Sequence, residues 1–139
     1  MIQIIKITLL EGMFAENAWD CTIEIPIDHS LAELHQAVQN AVGFDNDHMF
    51  EFCIANSYRS RNCQKYQCDD DAIFQITVGR ILEQSKGKKL YYMFDYGDSW
   101  LFQLTRSRKK QFNADPEVFY PRVISENGSK PIQYPDWEE

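Results

Sequence analysis

The sequence predicts an α+β fold of two layers, in which an antiparallel or mixed sheet carries helices on one face. Three features of the hydrophobic pattern predict this class. Two strand-like segments precede a well-marked helix, giving a ββα opening similar to the start of a β-grasp fold. A second, shorter helical segment follows in the middle of the chain, and a C-terminal aromatic hairpin ends the regular part.

The ββα opening has the clearest pattern. Residues 2–10 form a β-branched apolar run, and residues 19–25 alternate apolar and polar side chains, as in a strand with one buried face. Ser30 and Glu33 form a capping box, in which each side chain accepts a hydrogen bond from a free backbone N–H. Apolar residues at helical spacing follow as far as a glycine, so the pattern predicts a helix over residues 31–42.

The middle of the chain is less regular. Residues 48–54 alternate as a third strand. Residues 55–71 are rich in Asn, Ser, Arg and Asp and predict a long loop that holds at most one short strand. Apolar residues at helical spacing between residues 77 and 85 predict a short second helix.

The aromatic hairpin is predicted from two alternating segments, residues 90–96 and residues 100–105. Gly97 and Asp98 lie between them. Because glycine adopts the positive φ that tight hairpin turns require, this pair predicts a two-residue turn.

The whole chain is expected to form one domain over residues 1–139. This length falls in the usual range, and a hydrophobic content of 44% is enough for a packed interior. The regular pattern ends near residue 110, and four of the five prolines come after it. We therefore expect a regular core over residues 1–110 and an extended, proline-containing tail over residues 111–139 that packs on the core.

Charge is unevenly distributed along the chain. The net charge of −7 argues against nucleic-acid binding by the molecule as a whole. Residues 51–110, however, carry eleven bases and seven acids, whereas residues 1–50 carry one base and eight acids. This split predicts either charge complementarity within the fold or one locally basic face.

Several classes of protein have no support in the sequence. A secretory signal and a membrane-spanning apolar run are both missing, so we expect a cytoplasmic protein without a membrane partner. The four cysteines lack the paired spacing of a zinc site, and neither a metal nor a cofactor is expected. The phosphate-binding and catalytic motifs of common enzymes are missing too, which weighs against an enzyme without excluding one.

The hairpin carries a recognisable motif. Residues 92–100, with the sequence Tyr-Met-Phe-Asp-Tyr-Gly-Asp-Ser-Trp, resemble the signature of the plasmid pRiA4b open-reading-frame-three-like family. Residues 43–52 and the predicted helix over residues 31–42 are similar to two other blocks of that family, and Trp19 stands where its members tend to have tryptophan. The resemblance extends over residues 2–125.

This resemblance implies the fold of an uncharacterised family. Some of its members are carried on plasmids and insertion elements, which implies a nucleic-acid context. The C-terminal part departs from the family pattern, because residues 120–122 (Tyr-Pro-Arg) are followed by Val123 where members often have cysteine.

A first candidate binding set comes from the helix, the third strand and the hairpin. His and Asp side chains can bind metal ions or exchange protons, and an exposed aromatic stripe can stack on nucleic-acid bases. Each residue also has a plain structural interpretation, as a core histidine, a turn carboxylate or a core tryptophan. The set consists of His35, His48, Asp95, Asp98 and Trp100.

A second candidate set is basic and follows the hairpin. Side chains of Lys and Arg in a local cluster can contact phosphates, although a solvated strand end is the ordinary interpretation. The set consists of Arg106, Arg108, Lys109 and Lys110, supported by Lys86, Lys88, Lys89, Arg59 and Arg61.

Three functions are consistent with these observations. The first is a non-enzymatic interaction module that binds a protein through a sheet edge or the aromatic hairpin, with a link to mobile elements implied by the resemblance. An alternative is a nucleic-acid-associated protein that uses the basic region of residues 86–110. Another alternative is a metal-binding or hydrolytic enzyme that uses His35, His48 and Asp95.

Overall fold

The computed structural model describes residues 1–13, 15–58 and 62–134. Seven strands and two α-helices account for the regular structure of these residues. The strands are β1 (Ile2–Glu11), β2 (Trp19–Pro26), β3 (Phe50–Ala55), β4 (Gln64–Gln67), β5 (Lys89–Phe94), β6 (Trp100–Arg106) and β7 (Arg122–Gly128). The helices are α1 (Leu31–Val42) and α2 (Val78–Gln84), and a 3₁₀ helix over Asp71–Phe74 precedes α2.

All seven strands lie in one sheet, in the order β4-β3-β5-β6-β1-β2-β7, and each neighbouring pair is antiparallel. The predicted α+β class is therefore wrong, because the chain is mainly β and its two helices have only 12 and 7 residues. β4 is the one short strand that the prediction for residues 55–71 allowed, whereas β7 comes from the segment predicted as an extended tail. Their polar sequences carry little strand signal, and pairing with a neighbour determines their conformation.

The core lies between one face of the sheet and the two helices. The inward residues of β1, β2, β3, β5 and β6 alternate with outward ones and are almost fully buried, as predicted for these strands. Four aromatic side chains at the centre are completely inaccessible to solvent, namely Phe52, Tyr92, Phe94 and Phe102. Burial of side chains of this size contributes roughly 2–3 kcal/mol each to stability before entropy is counted.

The prediction of α1 over residues 31–42 is confirmed, including its capping box. The Glu33 N–H donates to Ser30 Oγ at 3.2 Å, and the Ser30 N–H donates to Glu33 Oε1 at 3.0 Å. Gly43 ends the helix with a φ of 80°, a left-handed conformation that favours glycine. None of the helices among the described residues is long and apolar enough to cross a bilayer.

The hairpin between β5 and β6 is confirmed, but its two-residue turn is wrong. The last strand pair is Phe94 with Trp100, which leaves a loop of residues 95–99. The positive φ angles in this loop belong to Asp95, at 62°, and Ser99, at 55°. The Asp95 carboxylate accepts hydrogen bonds from the backbone N–H groups of Gly97 and Asp98, so a side chain stabilises the longer loop.

The described part of the tail, residues 111–134, adds β7 to the edge of the sheet. The strand pairs with β2 and has a register shift that leaves Ile124 as an extra residue. All seven residues of β7 are exposed. Residues 135–139 of the predicted tail lie outside the described residues.

Candidate functional site

Two loops at one end of the sheet bring His48 and Asp95 together. Because Phe50 pairs with Phe94, the loop before β3 and the loop after β5 lie side by side. His48 Nε2 lies 3.4 Å from Asp95 Oδ2 and 3.9 Å from Asp47 Oδ1. Both loops line an open cavity of about 490 Å³.

Two residues of the C-terminal segment, Gln133 and Tyr134, form hydrogen bonds with the loop that carries Asp47 and His48. The Tyr134 hydroxyl donates to Asp47 Oδ2 at 2.6 Å and lies 2.7 Å from His48 Nε2. Since that hydroxyl has one proton, His48 Nε2 donates the second bond. Gln133 is buried, and its amide donates to Asp47 Oδ1 at 2.8 Å while accepting from the backbone N–H of Asp45.

The carboxylates of this group differ in their protonation behaviour. The hydrogen bond from Tyr134 holds the pKa of Asp47 below its ordinary value, and the same bond raises the pKa of Tyr134 to about 12. Burial, together with the neighbouring Asp95 carboxylate, raises the pKa of Asp98. The hydrogen-bond donors around Asp47 and Asp95 satisfy their carboxylate oxygens, so both residues have a clear structural role in joining loops.

His35 lies apart from His48 and Asp95, in the core. Its ring stacks on Phe50 with 3.6 Å between centroids, and Nδ1 lies 2.6 Å from the Tyr92 hydroxyl. Nε2 lies 2.5 Å from Asn46 Oδ1, so Nε2 carries the proton and Nδ1 accepts from Tyr92. Burial lowers the pKa of His35, in keeping with a neutral imidazole.

The predicted trio of His35, His48 and Asp95 is therefore not brought together in one cleft. Within residues 1–13, 15–58 and 62–134, no group of three His, Cys, Asp or Glu side chains is placed to hold a metal ion. Trp100 is completely buried and packs against Phe44, with 5.0 Å between ring centroids, so it offers no stacking platform to a ligand.

The basic candidates lie at the opposite end of β5 and β6 from the His48 loops. Arg106 ends β6, and Arg108, Lys109 and Lys110 follow it with exposed side chains. Six further Lys and Arg residues belong here: five support the predicted set (Lys86, Lys88, Lys89, Arg59 and Arg61), and Lys6 lies beside it in the sheet. Arg59 and Arg61 are outside the described residues. We use the term basic end for Lys6, Lys86, Lys88, Lys89, Arg106, Arg108, Lys109 and Lys110.

Sequence reasoning missed a groove between α1 and β7. The groove has a volume of about 350 Å³ and an apolar floor formed by Ile23, Ala37, Ala41 and Val123. Its rim is polar and consists of His29, Glu33, Gln36, Asn40, Tyr120 and Arg122. The groove could be found only by knowing that β7 pairs with β2. The exposed, polar sequence of β7 does not indicate that pairing.

The segment that contains β7 carries many exposed apolar side chains, and one of them, Val123, lines the groove. Among the described residues, eleven large hydrophobic side chains are exposed, and five belong to residues 119–134. Phe119, next to the rim residue Tyr120, is 92% exposed. The five are Phe119, Val123, Ile124, Ile132 and Tyr134. Clusters of this kind mark interaction surfaces more often than scattered single residues do.

The fold defines a class of mainly β proteins built on one seven-stranded antiparallel sheet with helices against a single face. Within that class, the chain belongs to the plasmid pRiA4b ORF-3-like family, whose model matches residues 2–133. This match confirms the resemblance seen in residues 92–100.

One solved structure and one curated protein are similar to this chain. A crystal structure of a protein of unknown function, MM3350 from Methanosarcina mazei Go1, superposes with a TM-score of 0.70 at 19% identity, covering 90% of this chain and 68% of that one. The uncharacterized protein y4hQ of Sinorhizobium fredii (strain NBRC 101917 / NGR234) is 22% identical over 78 residues. That match covers 56% of this chain and 40% of y4hQ, so the chain spans less than half of that relative.

Proposed function

We propose that this protein is a non-enzymatic interaction module that binds an extended peptide segment of a partner protein in the groove between α1 and β7. The observation that carries the proposal is the groove itself, whose apolar lining of Ile23, Ala37 and Ala41 is joined by the exposed side chain of Val123 on β7. Peptide-recognition sites commonly join an exposed strand to a pocket that takes one side chain.

The chemistry of the groove indicates what the peptide carries. The floor fits an apolar anchor side chain, because it presents aliphatic groups. On the rim, Arg122 is already bonded to Glu24, whereas Glu33 is 55% exposed. A basic residue next to the apolar anchor would therefore find a carboxylate at Glu33.

The shape of β7 limits how the peptide binds. The extra residue Ile124 interrupts the regular ladder of the strand, and such bulges protect sheet edges from continuous pairing. We therefore favour binding of the peptide's side chains in the groove over pairing of the peptide backbone with β7 as a long added strand. The predicted docking through the aromatic hairpin loses support, because the aromatic stripe of the hairpin is core.

The other functions considered from sequence have different standing. The hydrolytic alternative loses its basis, because His35 is bonded within the core and not to His48 or Asp95. A link to mobile elements rests on the family resemblance, and the cytoplasmic location likewise stays a prediction.

Selection of random twelve-residue peptides on the immobilised protein tests the proposal. We expect enrichment of sequences with an aliphatic or aromatic anchor beside Lys or Arg, and binding that weakens at least about tenfold in Val123→Asp. Phe74→Ser is the matched control, since Phe74 is 67% exposed but does not line the groove. Failure to enrich any sequence, or equal loss in both variants, would contradict the proposal.

A further inference from the structure

We propose that the basic end binds the phosphate backbone of double-stranded nucleic acid. This site is separate from the peptide groove and goes beyond the proposed function. Its members come from three segments, residues 1–8, 82–90 and 103–110, which together hold eight Lys and Arg residues and one acid, Glu83.

The fold brings these three segments to one end of the sheet. Lys86, Lys88, Lys89 and Arg106 line a single cavity of about 220 Å³ at the end of β5 and β6. Lys6 of β1 pairs with Thr105 and so lies at the same end of the sheet, but on the face opposite to Arg106, which pairs with Ile5. The chain after β6 is held against β1, because the Ser107 N–H donates to the Ile4 carbonyl at 3.0 Å.

The charge of this surface is largely uncompensated. Glu83 lies 3.4 Å from Lys86 and 3.6 Å from Arg106, but its side chain is 60% exposed, and exposed ion pairs of this kind are weak. The buried Nε of Arg106 has no hydrogen-bond partner among the described residues. Arg108, Lys109 and Lys110 are exposed, and among the described residues their side chains form no ion pair.

The rest of the molecule has the opposite sign. Eight of the chain's 14 Lys and Arg residues belong to the basic end, which leaves six against 20 acids elsewhere. A polyanion is therefore attracted by one end and repelled by the other surfaces. Such a distribution orients the encounter as well as strengthening it. The net charge of −7 weighed against nucleic-acid binding at the level of sequence. It is a sum over the whole chain and hides the local excess of positive charge at the basic end.

A duplex fits this surface better than a single strand. Recognition of single strands relies on aromatic side chains that stack on bases. The exposed aromatic residues of the described chain are Phe74, Tyr96, Phe119 and Tyr134, and none belongs to the three basic segments. Contacts to phosphates alone suit a duplex, whose bases are paired inside it.

Fluorescence anisotropy of the full chain with a labelled 20-base-pair DNA duplex tests the inference. We expect binding at about 50 mM salt that weakens with a log–log salt slope of about −3.6 to −5.4, as for four to six phosphate contacts. Lys88→Glu and Arg108→Glu should each weaken binding about tenfold. Lys130→Glu changes the net charge equally but lies outside the basic end, and should alter affinity less than about twofold.

Three further arms make the result decisive. The same strand without its complement should bind more weakly than the duplex, and labelled polyglutamate should bind more weakly still. Val123→Asp, which tests the peptide groove, should leave duplex affinity unchanged. No binding at 50 mM salt, equal losses in Lys130→Glu and Arg108→Glu, tighter binding of the single strand, or equal binding of polyglutamate would each overturn the inference.

Discussion

At the scale of single residues, a buried polar network determines how α1 sits on the sheet. The Tyr92 hydroxyl donates to His35 and accepts from the Gln39 amide at 2.9 Å. The side-chain Oε1 of Gln39 in turn accepts a hydrogen bond from the backbone N–H of Asn46. Because each buried group has a partner, the network fixes the helix and the following loop in one arrangement.

Tyr92→Phe should destabilise the protein by roughly 1–3 kcal/mol, because it leaves His35 and Gln39 with unsatisfied groups in the core. Urea denaturation measures the loss. Tyr96→Phe is the matched control, since its hydroxyl bonds the Phe50 carbonyl at 3.2 Å from a half-exposed position. If Tyr96→Phe lowers the free energy of unfolding as much as Tyr92→Phe does, the buried network makes no extra contribution to stability.

His35 should also make stability depend on pH. Burial lowers the pKa of the folded state below the ordinary 6.5, so below about pH 6.5 the unfolded chain binds a proton that the folded chain does not. The stabilising contribution is therefore complete above pH 6.5 and is lost as the pH falls. Unfolding free energies measured between pH 7.5 and 5.5 should fall less steeply in His35→Phe than in the wild type, whereas His48→Gln keeps the His35 contribution. Parallel profiles for the wild type and His35→Phe would contradict this.

Sequence reasoning identified these residues but could not decide their roles. The position of His35 beside the apolar stripe of the helix was visible, yet its partners lie 57 residues away and in the next loop. The pattern favoured a core role for Trp100 over a stacking platform, and the packing of Phe44 and Gly12 against it agrees with the core role. Side-chain pairing over such separations depends on the strand order, which periodicity does not encode.

At the scale of elements, β7 is the feature that sequence reasoning most clearly missed. β1, β2, α1, β3, β5 and β6 follow from alternating or helical periodicity, because their apolar faces meet the core. β7 has no buried face and is held by its pairing with β2 and by the bond from Trp19 Nε1 to Glu126, at 2.7 Å. A strand that buries nothing leaves no hydrophobic pattern in its sequence.

Gly128→Ala tests how closely β7 approaches its neighbour. A Cβ at this position would lie 2.2 Å from the Ala18 carbonyl oxygen, in a backbone conformation with φ at 83°. Gly87 has a similar φ of 78° but open space around it, so Gly87→Ala reports the conformational cost alone. We expect Gly128→Ala to lose at least about 1 kcal/mol more than Gly87→Ala in denaturation experiments. Equal losses would show that the ends of β7 and β2 are not in close contact.

At the scale of the whole molecule, the described surface divides into regions of different chemistry. The groove beside β7 is apolar with a polar rim, and the basic end collects most of the positive charge. The charge split along the sequence predicted either charge complementarity within the fold or one locally basic face, and strand pairing shows which lysines and arginines lie at the same end of the sheet. The groove had no counterpart in the sequence, because its floor comes from β2, α1 and β7 together.

These two regions make separable predictions for one molecule. A substitution in the groove should alter peptide binding and leave duplex binding intact, and a substitution at the basic end should do the reverse. Proteins that hold two partners on separate surfaces commonly show this independence when the sites share no residues. A single variant that abolished both activities while remaining folded would require the two surfaces to be coupled.

Hydrogen exchange of the protein with and without a selected peptide tests the central claim most directly. Binding in the groove predicts slower amide exchange in residues 120–125 and in the part of α1 that lines it, with no change in Val123→Asp. Slower exchange at the opposite sheet edge, β4, or at the loops around His48, without any change at β7, would contradict the assignment of the groove as the binding site.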